Sequence, residues 1–160
     1  MLRRVTLLAA VIAVLSVAVA GAAWAVTKVG NNKANHIVGS SAEDKLYGLG
    51  GKDTLKGLES SDQVYGGRGA DKVLGSSGED EVYGGIGGDD VRGGGDDDEV
   101  YGDMGPDNLH GSDGDNDNLY GADGVEGNDF LDGGAGINDY CEADSLDEIN
   151  TTTCEVWSVN

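Results

Sequence analysis

The chain has little with which to fill an ordinary globular core. Its 160 residues include one phenylalanine, two tryptophans and six tyrosines. Basic residues are scarce as well: 10 Lys and Arg stand against 30 Asp and Glu, for a net charge of −20. A chain so negative is repelled by phosphate backbones, which argues against a nucleic-acid partner. There are two histidines, His36 and His110, and two cysteines, Cys141 and Cys154. That is too few for a cysteine–histidine zinc cluster. Neither histidine is set in a nucleophile–base pattern, so no enzymatic activity is expected. With few large apolar side chains and high net charge, such a chain in the absence of a cation has the composition of a disordered one.

What the chain has in abundance is glycine, 29 residues, and the glycines keep time. Nine-residue units open at Gly30, Gly39, Gly48, Gly57, Gly66, Gly75, Gly84, Gly93 and Gly102 without a slip. Looser units follow at Gly111, Gly121 and Gly133, with one, three and one extra residues. The sixth position reads Asn35, Asp44, Asp53, Asp62, Asp71, Asp80, Asp89, Asp98 and Asp107. The eighth reads Ile37, Leu46, Leu55, Val64, Val73, Val82, Val91, Val100 and Leu109. A fixed period of this kind is the signature of a solenoid. The one reliably apolar position implies a strand of about three residues, with position eight inward and positions seven and nine outward. Glycine at positions one, two and four suits a turn with positive φ or close backbone approach. The ninth position separates two kinds of unit. Tyr47, Tyr65, Tyr83 and Tyr101 recur every 18 residues, with Tyr120 after the first insertion, while alternate units carry Val38, Lys56, Leu74, Arg92 and His110. The true repeat is therefore two units, which favours a coil of two strands.

GGIGGDDV at Gly84–Val91 and its neighbours resemble the hemolysin-type calcium-binding repeat, the RTX nonapeptide. The resemblance covers residues 30 to 142. It implies an all-β fold, a right-handed parallel β-roll with two strands per coil and calcium between the turns of adjacent coils. The metal residues it implies are Asp44, Asp53, Asp62, Asp71, Asp80, Asp89, Asp98 and Asp107, then Asp117 and Asp129 in the expanded units. In the first expansion Asp115 competes with Asp117; Asp117 keeps the distance to Leu119, as Asp129 does to Leu131.

Electrostatics give the same answer independently. Coils stacked at a sheet spacing of ~4.8 Å put position-six aspartates in columns. Like charges at that spacing repel by about 0.9 kcal/mol at the dielectric of water and about 3.5 kcal/mol at an effective value of 20. Calcium takes oxygens at ~2.3–2.6 Å, so an ion midway between coils spans the gap, whereas magnesium wants shorter, stricter octahedral bonds. Turn carbonyls would complete the shell. The two columns differ. One, Asp53 to Asp107, keeps glycine at position four (Gly51, Gly69, Gly87, Gly105), and the other reads Ala42, Ser60, Gly78, Asp96 and Gly114. The first column is expected to hold the more regular ions. The unit at Gly30, with Asn35, is expected to be a cap. The competing view is that the aspartates only shape turns.

Residues 1–25 read as a secretory signal peptide: Arg3 and Arg4, the apolar run Leu7 to Ala22, and the A-x-A site Ala23-Trp24-Ala25. The alternative is an uncleaved membrane anchor. Cleavage would shift the net charge from −20 to −22 by removing two arginines. A secreted, extracellular protein is expected, divided into the signal at 1–25, a lead-in at 26–38, the roll at 39–142 and a C-terminal cap at 143–160. Two cysteines in an exported chain allow one bridge, Cys141 to Cys154, the alternative being two free thiols. The ending resembles that of small secreted actinobacterial members of the family. The expected partners are calcium ions, with a cell-surface or extracellular polymer on the tyrosine column as the runner-up role.

Overall fold

The computed structural model describes residues 23–125 and 128–159. The expected signal segment falls almost wholly outside them. Among the described residues there are fifteen strands and no helix. The odd strands are β1 (Thr27–Asn31), β3 (Lys45–Gly50), β5 (Gln63–Arg68), β7 (Glu81–Ile86), β9 (Glu99–Met104), β11 (Asn118–Tyr120), β13 (Asp139–Ala143) and β15 (Cys154–Val159). The even strands are β2 (His36–Val38), β4 (Thr54–Glu59), β6 (Lys72–Ser77), β8 (Asp90–Gly95), β10 (Asn108–Asp113), β12 (Phe130–Gly134) and β14 (Glu148–Ile149). Odd strands stack in chain order into an eight-stranded sheet and even strands into a seven-stranded one. Every pairing is parallel. The chain thus alternates between two parallel sheets, two strands per coil, as a β-roll.

The two-unit repeat sets the register. Val64 pairs with Val82 and Val82 with Val100 in the odd sheet, and Val73 pairs with Val91 in the even sheet. The position-eight residues therefore form two axial files, and these are the core: Leu46 through Leu119 on one side and Leu55 through Leu131 on the other are fully buried. A buried side chain of this size contributes about 1.5–3 kcal/mol. With one such residue per strand, hydrophobic burial is thin for a chain of this length.

Most strands are six residues long, not three. The ladder continues through positions one to three because the position-one glycine also faces inward. In β5 the alternation buries Val64 and Gly66 and leaves Gln63 and Tyr65 half-buried. A side chain at position one would end the strand early by colliding with the interior. Outward on the odd sheet, Tyr47, Tyr65, Tyr83, Tyr101 and Tyr120 stack with centroids 4.6–4.9 Å apart and planes within 4–11°.

Each end of the stack is finished differently. On β1, Lys28 pairs with Leu46 and so occupies a core register position. Its ammonium donates to the carbonyls of Val38 and Gly39, laying a charge across the end of the core. Inward-pointing charge on an edge strand blocks further pairing. At the other end Cys141 continues the apolar file, fully buried, and is bridged to Cys154 with Cα atoms 5.8 Å apart. The bridge ties β15 to β13. Its 13-residue separation corresponds to about 3 kcal/mol in the chain-entropy treatment.

Candidate metal centre

Each turn delivers its aspartate to the inside of the coil. The strand that follows begins at position seven, and the turn before it contains a residue in the left-handed region. Along the edge leading from odd to even strands, that residue is Gly51, Gly69, Gly87 and Gly105, with φ between 105° and 151°. A Cβ at Gly69 or Gly87 would strike the carbonyl oxygen of the equivalent glycine one coil earlier, so this edge is closely wound. The opposite edge uses Ser60, Gly78 and Asp96 at positive φ. Both edges are left-handed at position four, and a Cβ at Gly78 would likewise lie 2.6 Å from the carbonyl oxygen of Ser60; they differ in that two of the residues on the second edge are not glycine.

The position-six aspartates form two continuous ladders. On the first edge, Asn35 N–H donates to Asp53 Oδ1, Asp53 to Asp71 and Asp71 to Asp89, each at 2.7 Å. Asp89 donates to Asp107 and Asp107 to Asp129 at 2.8 Å. On the second edge, Asp44 donates to Asp62 and Asp62 to Asp80 at 2.7 Å, Asp80 to Asp98 at 2.8 Å, and Asp98 to Asp117 at 2.9 Å. Asp117, rather than Asp115, takes the ladder position. All ten aspartates singled out in the sequence are at most 3 % exposed. The ladders run further than the period suggested. Asp139 accepts from Asp117 N–H at 3.0 Å, and Asp147 accepts from Asp129 N–H at 3.3 Å. Asp147 lies in the tail that breaks register, so spacing gave no sign of it.

Turn-shaping accounts for one oxygen of each carboxylate. The other is left over. Oδ2 of Asp53, Asp62, Asp71, Asp80, Asp89, Asp98, Asp107, Asp117 and Asp129 is buried without a hydrogen-bond partner among the described residues. An unsatisfied buried acceptor costs about 1–3 kcal/mol, and more when charged. Position-one glycine makes room for it: a Cβ at Gly48 would lie 2.5 Å from Asp53 Oδ2, and at Gly84 2.8 Å from Asp89 Oδ2. The charged form is disfavoured accordingly. Burial, partly offset by the ladder N–H and reinforced by neighbouring aspartates, pushes Asp98 and Asp107 up to about 8. Burial likewise pushes Asp80 and Asp129 up to about 7, and Asp62, Asp89 and Asp117 up to about 6.

Two rows of buried carboxylate oxygens, short of donors and walled by glycine, fit a hard cation that prefers oxygen. Among the described residues no three acidic, histidine or cysteine side chains converge on one point. A cation held here must therefore draw ligands from backbone carbonyls as well as from the aspartates.

A parallel β-roll built from nonapeptides, with a buried aspartate in every turn, is the class of protein that this fold and site define. The family described as RTX calcium-binding nonapeptide repeat matches the chain in four copies, at residues 29–64, 47–82, 56–91 and 83–117. The chain belongs to that family. No curated protein and no solved structure matches it.

Proposed function

We propose that the protein is a secreted, non-enzymatic calcium-binding module that binds several Ca2+ ions between successive turns. The ligands are the position-six aspartates from Asp44 to Asp129, completed by turn carbonyls. The orphaned, buried Oδ2 atoms in two axial rows carry this reading. A bound calcium supplies the positive charge that lets neighbouring carboxylates ionise inside the roll. Because the apolar core is thin, metal affinity becomes largely folding free energy. Extracellular modules of this kind bind calcium at roughly 10⁻⁴–10⁻³ M, so the chain stays loose until it meets calcium outside the cell. Residues 1–25 serve as the export signal, 26–38 lead into the roll at 39–142, and 143–160 close it. The tyrosine column is a strand-stabilising ladder in this reading. Its rings cover each other's faces, which leaves edges rather than faces for a polymer.

Calcium titration of the chain beginning at Val26, followed by calorimetry and far-ultraviolet circular dichroism together, tests the proposal. Uptake of several ions with a parallel gain of sheet is expected. A sheet that survives exhaustive EDTA dialysis, together with no uptake when calcium is returned, would overturn it.

A further inference from the structure

The first-edge row opens with an amide where every later coil has a carboxylate. Asn35 stands in line with Asp53, Asp71 and Asp89, and its N–H donates to Asp53 Oδ1 at 2.7 Å as theirs donate to the coil that follows. Its side chain takes the ladder orientation too. A Cβ at Gly30 would lie 3.2 Å from Asn35 Nδ2, where one at Gly48 would lie 2.5 Å from Asp53 Oδ2 and one at Gly66 3.0 Å from Asp71 Oδ2. The atom beside the position-one glycine is an oxygen without a donor in the later turns, and at the head of the row it is a nitrogen.

That nitrogen is set among oxygens. Nδ2 donates to Asp53 Oδ1 of the next coil at 2.8 Å, to the carbonyl of Asn31 at 3.2 Å and to the carbonyl of Lys33. Asn31 and Lys33 are positions two and four of the same turn. The amide oxygen is held separately. Asn35 Oδ1 accepts from Asn31 Nδ2 at 2.9 Å, the part that the preceding coil's N–H plays for each aspartate of the ladder. Turning the amide over would set its oxygen against three acceptors and its nitrogen against a donor, so the orientation is fixed. The turn is braced from within, with Lys33 N–H on Asn31 Oδ1 at 3.0 Å.

Three oxygens therefore converge on one side-chain atom, and one of them is the carboxylate that begins the aspartate row. A hard cation is held by such oxygens. Here two N–H bonds supply the positive partner instead.

We propose that the side-chain amide of Asn35 takes the place of a calcium ion at the head of the first-edge row, so that occupancy begins only beyond it. This assignment rests on the reading of the two aspartate rows as calcium sites, and it adds where one of them stops and what stops it. The plug is a single nitrogen. Asn35→Asp replaces it by a charged oxygen beside Asp53 Oδ1 and the two turn carbonyls, which turns the closed position into one more calcium site.

The test counts Ca2+ bound per chain by equilibrium dialysis, on the chain beginning at Val26, with circular dichroism as the control for folding. Asn35→Asp is expected to bind one ion more than the wild type and to keep its sheet in calcium. A wild-type count in a folded Asn35→Asp overturns the assignment. Failure of that variant to fold in excess calcium overturns it as well, because the added charge would have found no ion. Asn35→Ala removes the donor without adding a carboxylate and is expected to keep the wild-type count. One ion fewer in Asn35→Ala overturns the assignment from the other side, since the amide would then be a ligand through its oxygen. Absence of any uptake by the wild type is a different result, because it removes the rows themselves and this assignment with them.

Discussion

The backbone N–H of Asp80 donates to Oδ1 of Asp98, 2.8 Å away and one coil further along, so each aspartate is bound to its neighbour through one oxygen and exposed to that neighbour's charge through the other. Asp98 is pushed up to about 8, first by burial, with Asp80 and Asp117 adding to the rise. On the proposed function, proton and calcium compete for the same oxygens, and this coupling fixes the sign of the pH response.

Without metal, a carboxyl whose value is raised from 3.8 to about 6–8 in the folded state binds its proton more tightly folded than unfolded. Its stabilisation is complete below pH 3.8 and is lost as pH rises through 6 to 8. EDTA-treated protein should therefore show more sheet and a higher melting temperature at pH 4 than at pH 8. With calcium the order reverses, since protons displace the ion, and the apparent calcium affinity should fall as pH drops from 8 to 6. Equal apo melting temperatures at pH 4 and pH 8 would contradict the burial argument.

Asn in place of Asp retains the oxygen that accepts the ladder N–H but removes the charge. Asp71→Asn, on the edge that keeps glycine at position four, is expected to cost more calcium affinity than Asp80→Asn, on the edge where Ser60 and Asp96 replace glycine. Roughly tenfold against threefold is the expected contrast, about 1.4 against 0.65 kcal/mol. Isothermal titration of both variants measures it, and equal losses remove the distinction between edges.

Leu58 stands at position two with φ 113°, where equivalent positions hold Gly67, Gly85 and Gly94 at positive φ. Left-handed backbone costs a residue with a Cβ roughly 1–2 kcal/mol, and glycine gives back part of that gain through unfolded-state entropy. Leu58→Gly should raise stability by about 0.5–1 kcal/mol, read as a rise of a few degrees in the thermal midpoint with calcium in excess. A lower midpoint would mean that Leu58 makes contacts worth more than its strain.

Tyr83 stacks on both Tyr65 and Tyr101, at 4.7 and 4.6 Å. Each aromatic pair contributes about 0.5–1.5 kcal/mol beyond area, so Tyr83→Ala should lower stability by about 1–3 kcal/mol and leave the calcium count unchanged. Loss of binding to an extracellular polymer by a multiple tyrosine variant that still folds would instead give the ladder a recognition role.

The nine-residue period made much of this legible. Position eight gave Val64, Val82 and Val100 as core, position six gave the aspartates, and the 18-residue spacing of the tyrosines gave two strands per coil. Strand length was misjudged because a glycine contributes no apolar signal, and its inward direction shows only when the Asp oxygen beside it is seen. Asp147 was missed for a different reason. It lies in the tail that breaks register, and its role is set by a hydrogen bond from Asp129 N–H, which spacing does not encode. Tyr140 moved to position seven and leaves the ladder, its ring tilted 57° from that of Tyr120. Lys28 reads as an ordinary surface base until its pairing with Leu46 is known.

That lysine decides where the stack begins. A row of open strand edges is an invitation to build fibres, and a repeat whose coils are interchangeable is unusually exposed to it. Another molecule joining at β1 would have to trap an ammonium between two apolar files and take it from water. The repeating part of the chain can therefore be long and monotonous while its β1 edge carries a cation that opposes the addition of a further strand.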